Sequence, residues 1–292
     1  MSLLFWATWA LLGASVGSFL NVCILRWPAG ESVVAPRSRC PRCQRQIRWY
    51  ENIPILSWVA LRARCAGCGL PISARYPLIE LAIASIWVAA GLAYGPGLTA
   101  VRLAVFATIL FGIAATDLEH YEIPDGFTIP GFLFVLVTAV AAALLGQPSP
   151  FAGPTDAFIG ACTGAGVIAI IGWLAEAALK REAMGFGDVT LMAFAGAALG
   201  SWKAVATVFV GAALGAVIFV ALVLPFARRR APEPSAPAAD APAAADAAPV
   251  DSNTDDDGRP LVPFGVFLAP AALIVLLWGD ALFAAYLRLV LP

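Results

Sequence analysis

Two aspartates at the ends of apolar runs are the residues best placed to do chemistry. Asp188 closes Gly185-Phe186-Gly187-Asp188 at the mouth of the run Val189, Leu191, Met192, Ala193, Phe194. Asp117 ends another apolar run, Leu103 to Thr116, and opens the polar segment Asp117 to Asp125. A carboxylate at membrane depth costs about 2 kcal/mol or more, so it implies a function and a partner. Two carboxylates at like depth on different helices can share a proton and activate a water, as the aspartic proteases do. The plainer alternative is a pair of ordinary helix-end acids facing solvent. Gly185 and Gly187, which free the backbone on both sides of Phe186, favour function at Asp188.

A second set of chemistry-bearing residues is Cys40-Pro-Arg-Cys43 and Cys65-Ala-Gly-Cys68, two knuckles separated by twenty-one residues. That is close to the spacing of a structural zinc ribbon. Four thiolates complete a tetrahedral Zn²⁺ and leave no open catalytic position. Disulfide or redox use is the competing reading, and the reducing cytoplasm in which the surrounding arginines place the segment argues against it. Cys23 and Cys162 lie inside apolar runs and read as small core residues. His120 is the only histidine. A multi-histidine metal site is thereby excluded, a triad would have to use His120, and the residue itself reads as part of a solvated loop.

The elements that must hold these residues are membrane helices. At 61% hydrophobic and 13% charged over 292 residues, the chain is too apolar for an ordinary soluble domain. No cleavable signal peptide is evident, since the first apolar run lacks a basic region before it. The expected fold is an all-α polytopic membrane protein of about eight transmembrane helices, with a small cytoplasmic zinc-ribbon-like module between the first and second. Spans are expected at 3–24, 77–94, 98–116, 127–146, 156–179, 189–200, 204–226 and from 264 to about 277, the last followed by an amphipathic tail. Ser15, Ser18 and Asn21 recur at helical spacing in the first span and suit hydrogen bonding within a bundle.

The division that follows is a first helix (1–24), a tetracysteine module (25–76), a helical core (77–226), a linker (227–262) and a C-terminal segment (263–292). The module carries nine arginines against Glu31 and Glu51. Segments 25–76, 180–181 and 228–259 hold nine, two and four basic residues, fifteen of the eighteen. By the positive-inside rule these segments are cytoplasmic and the N-terminus is outside, which brings Asp117 and Asp188 to one cytoplasmic face. Arg102, Lys203 and Arg288 are the exceptions. Residues 231–257, built of Ala, Pro, Asp and Ser, have almost nothing to bury and read as a disordered linker. The arginines of the module suit lipid headgroups better than nucleic acid, and no nucleic-acid partner is expected.

Several stretches together resemble the bacterial type IV prepilin peptidases, also called prepilin leader peptidase/N-methyltransferases, which are GxGD-type aspartic proteases of the inner membrane. They are Gly17-Ser-Phe-Leu-Asn-Val22 with Arg26 and Pro28, the paired knuckles, Trp49-Tyr-Glu-Asn-Ile-Pro54, and Ser73-Ala-Arg-Tyr-Pro77 with Glu80. Asp117 with Ile123-Pro-Asp125, Gly185-Phe-Gly-Asp188 and Pro263-Phe-Gly265 complete the set. The resemblance implies a catalytic pair at Asp117 and Asp188 and a zinc site at Cys40, Cys43, Cys65 and Cys68. It implies removal of the basic leader from prepilins and pseudopilins at the cytoplasmic face. It also implies methylation of the new N-terminal residue with S-adenosylmethionine, whose binding residues it does not name. Thr190, often lysine in the family, and Val266, often proline, are departures that bear on substrate preference. No glycine-rich loop of the Rossmann kind is present for the methyl donor.

Two rivals to this reading remain on the sequence. A transporter with the acids as a proton relay would place them near the bilayer midplane and show internal repeats, whereas both lie at one edge and no repeat is visible. A zinc-ribbon scaffold that only binds partners would leave the paired acids incidental. Glu119, Glu122 and Asp125 suit attraction of a basic leader, or simply a solvated loop.

Overall fold

Apolar runs of this length become helices because a backbone in lipid satisfies its hydrogen bonds only by coiling or by closing a barrel. The computed structural model describes residues 3–180, 184–223 and 263–290, and among them only helices and two isolated β-bridges occur. Helix α1 (Leu3–Arg26) leads into the cysteine module, which holds a 3-10 turn at Trp49–Asn52 and the short α2 (Leu56–Ala60). Then come α3 (Arg75–Tyr94), α4 (Leu98–His120), α5 (Asp125–Leu144) and α6 (Pro154–Leu179). The chain continues through α7 (Phe186–Leu199), α8 (Ser201–Ile218) with a π-helical turn at Phe219–Val223, and α9 (Gly265–Val290).

Seven of these helices are long and apolar enough to cross a membrane, so the chain is a multi-pass membrane protein. The expected sixth span, 189–200, corresponds to α7, which is apolar but has only 14 residues. At ~1.5 Å per residue it reaches about 21 Å, against a hydrocarbon core of about 30 Å. Residues 227–262, expected as a linker with Arg228 to Arg230 at its start, lie outside the described residues, as do Arg181 and Glu182.

Two helix ends differ from expectation. α4 continues a turn past Thr116 and stops at Tyr121, whose left-handed backbone (φ 54°) turns its N–H onto the Asp117 carbonyl at 2.9 Å. Asp117 therefore stands in the last helical turn rather than at the start of a loop. α9 runs unbroken through the segment expected as a separate tail.

At the centre α4 packs against α1, α3, α5 and α9, while α7 packs against α5, α6, α8 and α9. Phe106 of α4 and Phe194 of α7 meet with ring centroids 5.1 Å apart. Glycines set the closest approaches. A Cβ on Gly13 or Gly17 of α1 would come within 2.8 Å of Trp87 Cβ or Glu80 Cα on α3. A Cβ on Gly160 or Gly164 of α6 would run into the carbonyls of Gly196 and Met192 on α7. Lipid removes the hydrophobic drive between helices, so small residues that let backbones touch do this work.

Two of the basic residues outside the arginine-rich segments are held by neighbours at the end of the bundle opposite the module. Arg102 is buried, stacks 4.4 Å over the Phe151 ring and donates to Ser149 Oγ at 3.0 Å. Lys203 is buried and pairs with Asp280 at 2.8 Å.

Candidate active site

By connectivity, α4 ends and α7 begins at the end of the bundle that carries the module, with α5 and α9 packed on both. Asp117 lies in the last turn of α4 and Asp188 in the first turn of α7. They are only 5% and 9% exposed, and Asp188 lies close enough to Asp117 to feel its charge. The structure thus brings together the two acids that the sequence separates by seventy residues.

Ile123, which is buried, fills the space between the elements around the pair. A Cβ on Gly187 would lie 2.9 Å from Ile123 Cβ, and one on Gly265 would lie 2.9 Å from Ile123 Cδ1. The second would also lie 2.8 Å from Asp117 Oδ2. Val266 donates its backbone N–H to that same oxygen at 3.0 Å. Hence the first turn of α9 sits directly on Asp117, and a side chain at 265 would have to displace the Asp117 carboxylate and the Ile123 methyl. Sequence reading named Pro263-Phe-Gly265 through resemblance alone; nothing in its residue types pointed to a contact with Asp117.

The two glycines of the Gly185-Phe-Gly-Asp188 motif differ. Gly187 is hemmed in by Ile123, whereas a Cβ on Gly185 would meet almost nothing, and the φ of −73° at Gly185 suits any residue. Phe186 between them is 77% exposed. Thr190 Oγ1 donates to the Gly187 carbonyl at 3.0 Å, so its side chain is occupied within its own helix. Among the loop acids, Glu119 pairs with Arg75 at 2.8 Å and ties the end of α4 to the start of α3. This pair is partly exposed and is worth roughly 1 kcal/mol at most. His120, Glu122 and Asp125 are exposed.

The cysteine module repeats one turn twice. Cys40 N–H bonds Arg45 O and Gln44 N–H bonds Cys40 O; Cys65 N–H bonds Leu70 O and Gly69 N–H bonds Cys65 O. Gln44 and Gly69 take the same left-handed backbone, at φ 57° and 70°. The two turns face each other so that all four sulfurs lie within 4.8 Å, with Cys40–Cys68 and Cys43–Cys65 at 4.0 Å. A tetrahedral zinc with Zn–S of about 2.3 Å places its sulfurs about 3.8 Å apart, so the donor set fits a metal of that size. The backbone N–H groups of Cys68 and Gly67 pull the Cys65 thiol down to about 6, and those of Cys43 and Arg42 lower Cys40. Both shifts favour the thiolate that binds metal, whereas, against the pull of the Leu70 N–H, burial and the neighbouring sulfurs push Cys68 up to about 11. Arg45 braces the first knuckle through Glu51 at 2.7 Å.

The bacterial peptidase A24 N-terminal domain matches residues 11–94, and the type IV leader peptidase family matches residues 104–220. The chain is similar to the prepilin leader peptidase/N-methyltransferase of Aeromonas hydrophila, with 34% identity over 95% of this chain and 92% of the relative. Against the protein of that name from Stutzerimonas stutzeri the identity is 30%, with the same 95% and 92% coverage. The Myxococcus xanthus protein of that name is 43% identical over 67% of this chain and 56% of its own length. No solved structure matches the chain. With relatives this similar along nearly its whole length, the chain belongs to the type IV leader peptidase family.

Proposed function

We propose that this protein is an intramembrane-edge aspartic endopeptidase that removes the basic leader from type IV prepilins and pseudopilins and then methylates the new N-terminal residue. The observation that carries the reading is the buried pair Asp117 and Asp188, brought from two helices to one end of a membrane bundle. In this reading one aspartate, deprotonated, takes a proton from water as the water oxygen attacks the scissile carbonyl. The other, protonated, donates to the carbonyl oxygen. Collapse of the tetrahedral intermediate returns a proton to the leaving amine, and mutual repulsion keeps the pair singly charged between turnovers. The open backbone at Gly185 leaves room for a substrate strand beside Asp188. Val266 orients Asp117.

The cytoplasmic face of the inner membrane, with the N-terminus outside, is the location that the arginine distribution supports. Membrane lipids then surround the bundle. Cys40, Cys43, Cys65 and Cys68 hold a structural Zn²⁺ in this reading. The division into a methyl-transfer module at 25–76 and a peptidase core at 77–226 follows. S-adenosylmethionine supplies an electrophilic methyl group: the N–C bond forms from the amine lone pair, the S–C pair stays on sulfur, and the amine proton leaves to solvent.

The test is to incubate the purified protein with a prepilin in detergent, with and without methyl donor, and mass the products. Loss of the leader alone without donor, and loss of the leader plus one methyl group with it, is the expected result. An intact prepilin in both arms sinks the reading.

A further inference from the structure

Between the cysteine module and the adjoining ends of α1 and α3 lies a cavity of about 560 Å³. That volume falls within the range of small-ligand sites, roughly 300–1,000 Å³. Gly17–Val22, Trp49–Pro54 and Ser73–Pro77 with Glu80 all contribute to its wall. All lie within residues 11–94, apart from the segment that carries both aspartates.

The wall is chemically graded. On its α1 and α3 side stand two acceptors. Glu80 is 8% exposed and takes the Ile55 N–H at 2.7 Å through one oxygen. Asn21 is 2% exposed; its Nδ2 donates to the Gly17 and Tyr76 carbonyls at 3.2 Å each, while its Oδ1 has no partner. A buried acceptor left unpaired costs about 1–3 kcal/mol, so a site that keeps one is built for something that arrives later. Trp58 and Tyr76 add aromatic surface, and the exposed Arg39 and Arg42 stand at the rim.

We infer that this cavity holds the methyl donor, with Glu80 and Asn21 facing its cationic sulfonium and ammonium groups, Trp58 and Tyr76 beside its adenine, and the rim arginines toward its carboxylate. The assignment rests on the methyltransferase reading above and deepens it. It needs no glycine-rich loop, because the donor carries no phosphate. It also separates the two activities in space: the donor sits under the zinc module, while the aspartates sit between α4 and α7.

The test is equilibrium dialysis of radiolabelled S-adenosylmethionine against the purified full-length protein in detergent. Glu80→Gln keeps an acceptor for Ile55 but removes the charge. It should weaken binding by tenfold or more, and weaken S-adenosylhomocysteine, which lacks the sulfonium charge, by less. Ser38→Trp, which fills the cavity from the module side without touching Glu80, should also block binding. Metal content and the thermal transition report whether each variant is folded. Ultraviolet crosslinking of the bound donor should label peptides within residues 18–80. If the wild type methylates a pre-cut pilin peptide but folded Glu80→Gln and Ser38→Trp bind the donor normally, or the label falls outside 18–80, the pocket is wrong and the methyltransferase reading stands. If the wild type neither binds the donor nor methylates, both are overturned.

Discussion

The amide of Val266 donates to Oδ2 of Asp117 at 3.0 Å, across 149 residues of sequence. Through this contact α9 fixes a carboxylate at the end of α4, the third span, and the rest of the site is arranged around it. Two substitutions separate what the contact does. Gly265→Ala puts a Cβ 2.8 Å from Asp117 Oδ2 and must turn that carboxylate or push α9 away, an overpacking cost of about 1–3 kcal/mol. Leader cleavage should fall at least tenfold. Val266→Pro removes the donor at a helix position where proline is tolerated, and should cost less. Cleavage rates for the two, measured on one prepilin, should fall in that order; the reverse order means that α9 does not position Asp117 by close contact.

Asp117→Asn and Asp188→Asn should each reduce cleavage by about a hundredfold or more while leaving the fold intact, since an amide is nearly isosteric but cannot accept and return a proton. Glu119→Gln and Glu122→Gln should retain most activity, because Glu119 is engaged with Arg75 and Glu122 is exposed. Methyl transfer to a pre-cut pilin peptide should survive both Asp→Asn changes. Near wild-type cleavage by either well-folded Asp→Asn variant would end the aspartic-protease assignment.

Metal analysis of the purified protein should give about one equivalent of zinc, lost when any of Cys40, Cys43, Cys65 or Cys68 becomes Ser. A tetrathiolate site contributes much of the folding energy of so small a module. Chelation should therefore loosen residues 25–76, read by hydrogen exchange, before the helices respond. Recovery of disulfides with no metal would contradict the zinc assignment.

Gly196→Ala should destabilise the bundle by about 1–3 kcal/mol, because its Cβ meets the Gly160 carbonyl where α6 and α7 touch backbone to backbone. Asp188 rides on α7, so cleavage should suffer along with stability. A thermal transition in detergent, compared with that of Gly166→Ala, where a Cβ meets open space, measures the difference. Equal transitions would show that the backbone contact between α6 and α7 does not hold the bundle together.

The helices were legible because apolar runs of membrane length have one backbone solution, and the knuckles because four cysteines at such spacing have few uses. Asp117 and Asp188 stood out because each interrupts an apolar run. The sequence did not reveal that Ile123 sits between Gly187 and Gly265, or that Val266 reaches Asp117; both are contacts between distant helices with no periodic trace. Asn21 looked like one member of a polar stripe. Its unpaired oxygen appears only when α1 and α3 are set side by side under the module. The end of α4 was misplaced by a turn because Asp117, Glu119 and His120 read as a polar loop, although a helix carries such residues easily in its last turn.

The shortness of α7 bears on the medium around the protein. A segment of about 21 Å cannot span a hydrocarbon slab of about 30 Å, and because α5, α6, α8 and α9 surround it the shortfall opens within the bundle, where water can enter at the end that carries Asp188. That opening would supply the hydrolytic water and admit an extended substrate from the side, without any moving lid. The reaction should then be sensitive to acyl-chain length. Reconstituted in progressively thicker bilayers, the protein should keep its fold and its zinc while cleavage slows.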